Sequence, residues 1–117
     1  MTTVPGIDPS APPSGTGCAE CEEHGGWWFH LRRCTQCGHI GCCDSSPAQH
    51  ADGHAKATGH PMIRSFEPGE DWYWNYATAQ YAENPGPELA PPLSHPVGQP
   101  APAPPERVPA DWQSRLN

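Results

Sequence analysis

Two C-x-x-C pairs, Cys18/Cys21 and Cys34/Cys37, are followed by Cys42, Cys43, His50, His54 and His60. Residues 34–60, CTQCGHIGCCDSSPAQHADGHAKATGH, hold four cysteines and four histidines in 27 positions. A C-x-x-C pair suits a tight turn that aims two thiolates at one tetrahedral ion, so each pair is half of a zinc site. The same spacing serves thioredoxin-like redox chemistry, but that use expects a βαβ context and leaves the histidines without a role. Zinc is therefore the expected cofactor. No H-E-x-x-H or H-x-E…P-C-x-x-C pattern occurs and no nucleophile is paired with a base, so no catalytic centre is expected. Cys43 stands beside Asp44, a carboxylate that raises a thiol's pKa and does not activate it, and reads as a packing residue.

The histidines need a scaffold, and the sequence offers a helix over 46–58. Ser45 or Ser46 can cap it, Pro47 suits its first turn and Gly59 can end it. His50 and His54 then lie one turn apart on one face, and His60 follows with Pro61 stopping any continuation. Gly53 weakens such a helix by about 1 kcal/mol relative to alanine, so metal is expected to hold it. Short strands are expected around 27–33, 38–42, 61–66 and 72–76, with a turn at Glu67–Asp71 and a second short helix beginning in 77–82. The fold class is a small zinc-dependent α+β domain. His24, His30 and His39 read as polar loop or strand residues.

The order C-x2-C, C-x2-C-x4-C, H-x3-H-x5-H and then a Trp/Tyr-rich segment resembles the UBP-type zinc finger, the ubiquitin-binding finger of ubiquitin-specific proteases, over about residues 18–80. The short "GCCDSSP…EPGEDWYWNY" version is similar to stand-alone fingers of bacteria. The resemblance implies a short mixed sheet packed with one or two helices and two structural zinc ions with interleaved ligands. Carried over by position, Cys18, Cys21, Cys42 and His50 would hold one, and Cys34, Cys37, His54 and His60 the other. Cys43 is the alternative to Cys42, because the interval to His50 is one residue longer than in multi-zinc members. Other members keep a single Cys3His zinc, which here would be the set containing His50. "DWYWNY" has no cysteine for a further site. The resemblance also implies a pocket for a free C-terminal Gly-Gly tail of a ubiquitin-like protein, lined by Trp28 (or Trp27), Trp74 and Tyr76. The other reading of these rings is the core of a metal-stapled domain. At the position of the family's carboxylate-binding arginine stands Asp44, so Arg32, Arg33 or Arg64 would have to substitute from another strand. Three readings compete: a non-catalytic module for protein or peptide C-terminal tails, a structural zinc adaptor for another partner, and, less favoured, a redox thiol protein.

Composition sets the limits around that domain. Of 17 prolines in 117 residues, four lie in 1–17 and ten in 84–117, whereas 18–82 holds all six cysteines and six of seven histidines. The expected organisation is a disordered tail at 1–17, the finger at 18–82 and a proline-rich extended tail at 83–117 in which Trp112 could anchor a short terminal helix. "PPLSHP" and "PAPAPP" could dock an aromatic groove, this domain's own included. A 65-residue segment poor in Leu, Ile and Val buries little apolar surface, which is why it needs a metal staple. Eight acidic against four basic residues in 18–82, and a net charge of −7 for the chain, argue against nucleic acid. No signal-peptide pattern and no 18-residue apolar run is visible, so a cytoplasmic monomer without membrane contact is expected.

Overall fold

The computed structural model describes residues 7–43, 46, 48–82, 89–99 and 102–115. Five short strands form one sheet: β1 (Leu31–Cys34), β2 (Ile40–Cys42), β3 (Met62–Ser65), β4 (Tyr73–Asn75) and β5 (Gln80–Ala82), in the order β2-β1-β3-β4-β5. Every pairing is antiparallel. Two helices, α1 (Ala19–His24) and α2 (His50–Thr58), complete an α+β domain.

Strand alternation sorts the chemistry onto two faces, because cross-strand partners share a side. Cys34, Ile63, Trp74 and Tyr81 form one cross-strand row, with Arg32 two residues before Cys34 on the same side. Ile40, Arg33, Arg64, Tyr73 and Ala82 form a row on the opposite side. That second face carries the core. Leu31, Ile40, Cys42 and Phe66 pack with Cys18, Cys21, Trp28 and Ala103. A smaller cluster joins Ile7, Tyr73 and Leu89, flanked by Met62, Ala82 and Leu93.

Two local expectations are corrected. The second short helix is a strand: Asn75 pairs with Gln80, and the Asn75 carboxamide oxygen accepts from the Ala77 and Thr78 N–H groups, so 76–79 becomes a hairpin turn. Pairing with β4 overrides the helical preference of the alanines. Helix α2 starts at His50, after Gln49 in a left-handed conformation (φ 52°), and not at 46. Ser46 is committed elsewhere, its hydroxyl accepting from the Phe29 N–H at 2.8 Å, while Ser45 and Pro47 lie outside the described residues. Helix α1 was not foreseen. Its cap is the Cys18 sulfur, which accepts from the Cys21 N–H at 3.5 Å, and Gly25 closes it at φ 75°.

The described parts of both flanks lie along this unit. Asp8 N–H donates to Thr35 O and Ser14 N–H to Gly38 O, each at 2.8 Å. Trp28 and Ala103 exchange two backbone hydrogen bonds at 2.9 Å. The Trp112 ring, in a 3-10 turn at Trp112–Arg115, sits 5.5 Å from the Phe29 ring. No helix among the described residues is long and apolar enough to cross a membrane.

Candidate functional site

The cysteines and histidines of the interleaved pattern are delivered by several separate elements of the fold. Cys18 caps α1, Cys21 lies within it, Cys42 ends β2 and His50 opens α2. Their donor atoms all lie within 4.8 Å of one another, and His50 Nδ1 stands 3.2, 3.3 and 3.6 Å from the Cys18, Cys21 and Cys42 sulfurs. The His50 N–H also donates to Cys42 Sγ at 3.2 Å, so the helix start is tied to the same sulfur as the ring. The three cysteines are buried.

The second cluster is more open. Cys34 ends β1, Cys37 occupies the following turn, His54 comes from α2 and His60 from just beyond it, with their donor atoms again within 4.8 Å. His54 Nε2 lies 3.3 Å from Cys37 Sγ and His60 Nδ1 3.6 Å from Cys34 Sγ. Cys34 is buried and Cys37 exposed. His39 is stacked on His54 at 3.9 Å, its Nε2 2.7 Å from a Glu20 carboxylate oxygen, so α1 also braces this outer cluster.

The protonation chemistry of the inner cluster fits a divalent cation. Hydrogen bonds from Cys18 and Cys21 pull the Cys42 thiol down to about 2. The hydrogen bond from Cys21 lowers Cys18, but donation to Cys42 and burial outweigh it and push Cys18 up to about 12. Cys21 is raised as well, by donation to Cys18 and Cys42 and then by burial. Three sulfurs in mutual contact resist ionising together without a cation to compensate them. A zinc ion removes that conflict, since it binds thiolates and compensates their charge. In the outer cluster, burial pushes Cys34 up to about 11, and burial followed by the neighbouring His39 and His60 rings holds His54 below the usual imidazole range, which leaves its nitrogen free to ligate. Both sets therefore fit zinc: three sulfurs and a nitrogen, and two of each.

Cys43 belongs to neither set. Adjacent strand residues point to opposite faces, so Cys42 enters the cluster while Cys43 is buried toward the other side, 3.5 Å from the Ser46 hydroxyl. His24 is exposed at the end of α1, and His30 Nδ1 lies 3.4 Å from the Glu67 carboxylate.

Cys43 lines an aromatic groove of about 190 Å³ with Arg32, Ile63, Trp72, Trp74, Tyr76 and Tyr81. Trp74 and Tyr81 are cross-strand partners packed edge to face at 4.9 Å, and Trp72 meets Tyr81 likewise at 5.6 Å. The Arg32 guanidinium lies 4.6 Å from the centre of the Trp72 ring. The sequence-predicted Trp74 and Tyr76 are brought together here. Trp28 is not: it is buried in the opposite core, bridged to Ala103. Trp72 and Tyr81 were missed by the sequence reading. The alternation W-x-W-x-Y in 72–76 is the signal that would have found Trp72, whereas Tyr81 becomes visible only once 80–82 is recognised as a strand.

Arg33 and Arg64 do not reach the groove. Arg33 is 1% exposed and donates to Ala11 O and Pro92 O, while Arg64 donates to Ser65 O and Leu93 O. Asp44 lies outside the described residues.

Comparison with known proteins agrees with this arrangement. The chain is similar to a Rhodopseudomonas palustris protein of known solution NMR structure, at 40% identity and a TM-score of 0.63 over 81% of this chain and 98% of that one. No curated protein matches the sequence significantly. Residues 18–87 match the family described as the Zn-finger in ubiquitin-hydrolases and other proteins, a span that takes in both Cys/His clusters and the aromatic hairpin. The chain belongs to this UBP-type zinc-finger family.

Proposed function

We propose that this protein is a non-catalytic recognition module, held by two zinc ions, whose aromatic groove takes an extended peptide tail ending in a free carboxylate. Cys18, Cys21, Cys42 and His50 hold one ion, and Cys34, Cys37, His54 and His60 the other. Four protein donors fill a tetrahedral zinc, which leaves no position for a substrate or an activated water and makes both ions structural. Cross-bracing of α1, β2 and α2 by one ion, and of β1 and α2 by the other, supplies the rigidity that a three-residue strand lacks.

The observation that carries the tail reading is Arg32 beside Trp72, the one basic side chain among the described residues that line the groove. Its Nη1 donates to Leu31 O at 3.0 Å, which orients the guanidinium. A planar guanidinium pairs with a carboxylate through parallel hydrogen bonds. Aromatic walls suit a thin, glycine-like backbone, and about 190 Å³ corresponds to roughly six waters at ~30 Å³ each, room for the end of a tail and not for a folded domain. Arg32 thus supplies the cation that the family's arginine position, here Asp44 in the sequence, does not. The ligand is a protein tail of the ubiquitin-like type, bound by a monomer in the reducing cytoplasm. Nucleic acid is disfavoured by the net charge of −7.

Calorimetric titration with a peptide ending in Gly-Gly-COOH, and with its C-terminal amide, tests the proposal. Hydrogen bonds to a charged group contribute about 1.5–3 kcal/mol, so Arg32→Ala and amidation are each expected to weaken binding roughly ten- to hundredfold. Equal affinity for acid and amide would overturn the tail reading and favour the structural adaptor. Cys43→Ala is expected to leave the zinc content at two per chain, whereas loss of an ion would make Cys43 a ligand.

A further inference from the structure

The C-terminal segment 89–99 crosses the core face of the sheet, held by hydrogen bonds from Arg33 and Arg64, by the His95 N–H on Phe66 O and by a buried His95–Glu67 contact. His95, 4% exposed, places Nε2 3.0 Å from a Glu67 carboxylate oxygen and Nδ1 2.8 Å from the Pro96 carbonyl oxygen. Both neighbours of the ring are acceptors. A neutral imidazole has a single N–H and can satisfy only one of them, so the docked arrangement requires a second proton, on the ring or on Glu67. Glu67 is itself buried, and the oxygen that faces His95 already accepts the Leu31 N–H at 3.0 Å.

We propose that segment 89–99 is a pH-dependent strap, closed by a proton shared between His95 and Glu67. The surrounding groups leave that proton to this pair. His30 faces the other Glu67 oxygen, and burial, outweighing Glu67 itself, holds it below the usual imidazole range, which favours its neutral form. Glu70 is bonded to the Ser65 hydroxyl at 2.6 Å, and Arg64 donates to Leu93 O and Ser65 O. Asp71 lines the cleft with Arg64, Glu67 and Glu70. No carboxylate of the segment itself stands among its described residues 89–99.

Released, the His95 ring no longer faces this pair of acceptors, so nothing holds the second proton. The docked strap therefore binds more protons than the released one, and linkage makes docking weaken as pH rises. Release has a defined consequence. Pro92 O and Leu93 O, the strap's partners of Arg33 and Arg64, leave with it, and two guanidiniums paired across neighbouring strands lose part of their hydrogen bonding.

Hydrogen exchange of the full zinc-loaded chain from pH 6 to 8.5, corrected for intrinsic rates, tests the device. The reporter is the His95 N–H, bonded to Phe66 O, with the Cys34 N–H, bonded to His39 O, as the reference for the metal-braced domain. The His95 amide is expected to lose protection up to about tenfold per pH unit once docking requires proton uptake, while Cys34 is unchanged. His95→Gln, which cannot titrate, should flatten the profile. A pH-independent wild-type profile, a variant that keeps the wild-type slope, or His95 exchanging only together with Cys34 would each overturn the proposal.

Discussion

Stripping zinc with a chelator is expected to unfold the domain outright, with the buried Trp28 fluorescence and the sheet's circular dichroism lost together. A structural zinc contributes about 10–16 kcal/mol of apparent binding energy, against ~5–15 kcal/mol for the whole stability of a typical domain. This chain has strands of three or four residues and a core in which three of the eight buried members are cysteines of the inner cluster, so little remains once the ion is gone. Single substitutions should separate the two sites. Cys42→Ala removes the donor that joins α1, β2 and α2 and is expected to abolish stable folding. Cys37→Ala removes an exposed donor from a turn, where water can take the vacant position; the chain should remain folded with a weakened outer ion. Thermal melts and zinc content by mass spectrometry check both, and a chelated chain that keeps its native melt would contradict the account.

Gly41→Ala carries the second large effect. A Cβ at Gly41 would stand 2.7 Å from Ala51 N, 2.9 Å from Ala51 Cα and 3.0 Å from the His50 carbonyl carbon. Those atoms are backbone of the first turn of α2, so no rotamer change can relieve the contact. The helix must move, and His50 and His54 move with it. Overpacking costs about 1–3 kcal/mol, which for a domain of this size lowers the melting temperature by roughly 5–20 °C. The displacement should also weaken zinc retention in a competition with a chromogenic chelator. An unchanged melt and unchanged retention would show that α2 does not depend on Gly41.

Much of the metal chemistry was legible because ligand spacing is local. C-x-x-C turns put two thiolates together whatever the remaining fold, and histidines four apart on one helix face deliver one donor to each cluster. The C-x4-C interval from Cys37 to Cys42 favours Cys42 over Cys43, but the physical reason for that choice is not in the spacing. It depends on strand phase, which appears only when Leu31 is seen opposite Cys42 in the register. Helix α1 was hidden because its cap is a thiol, not one of the usual Ser, Thr, Asp or Asn caps. Strand β5 was hidden because "ATAQYA" has good helix formers, and its pairing is paid for by β4 and the Asn75 turn.

The flanks illustrate a different limit. Proline-rich composition indicates extended backbone, and 89–99 contains no regular element, yet its carbonyls meet Arg33 and Arg64 and its histidine meets Glu67. Nothing in residue type distinguishes a solvated proline-rich segment from a docked one. The distinction comes from the sheet face, where two arginines side by side require acceptors and find them in the flanks. The same alternation gives the groove its arginine: Arg32 and Arg33 are adjacent in sequence and serve opposite faces.

Native mass spectrometry of the purified chain, with a peptide ending in Gly-Gly-COOH and its amide added in turn, tests the central claim most directly. Two zinc ions per chain and capture of the free acid alone is the expected spectrum. Fewer than two ions, or capture that ignores the carboxylate, would contradict a doubly braced finger that reads the end of a tail.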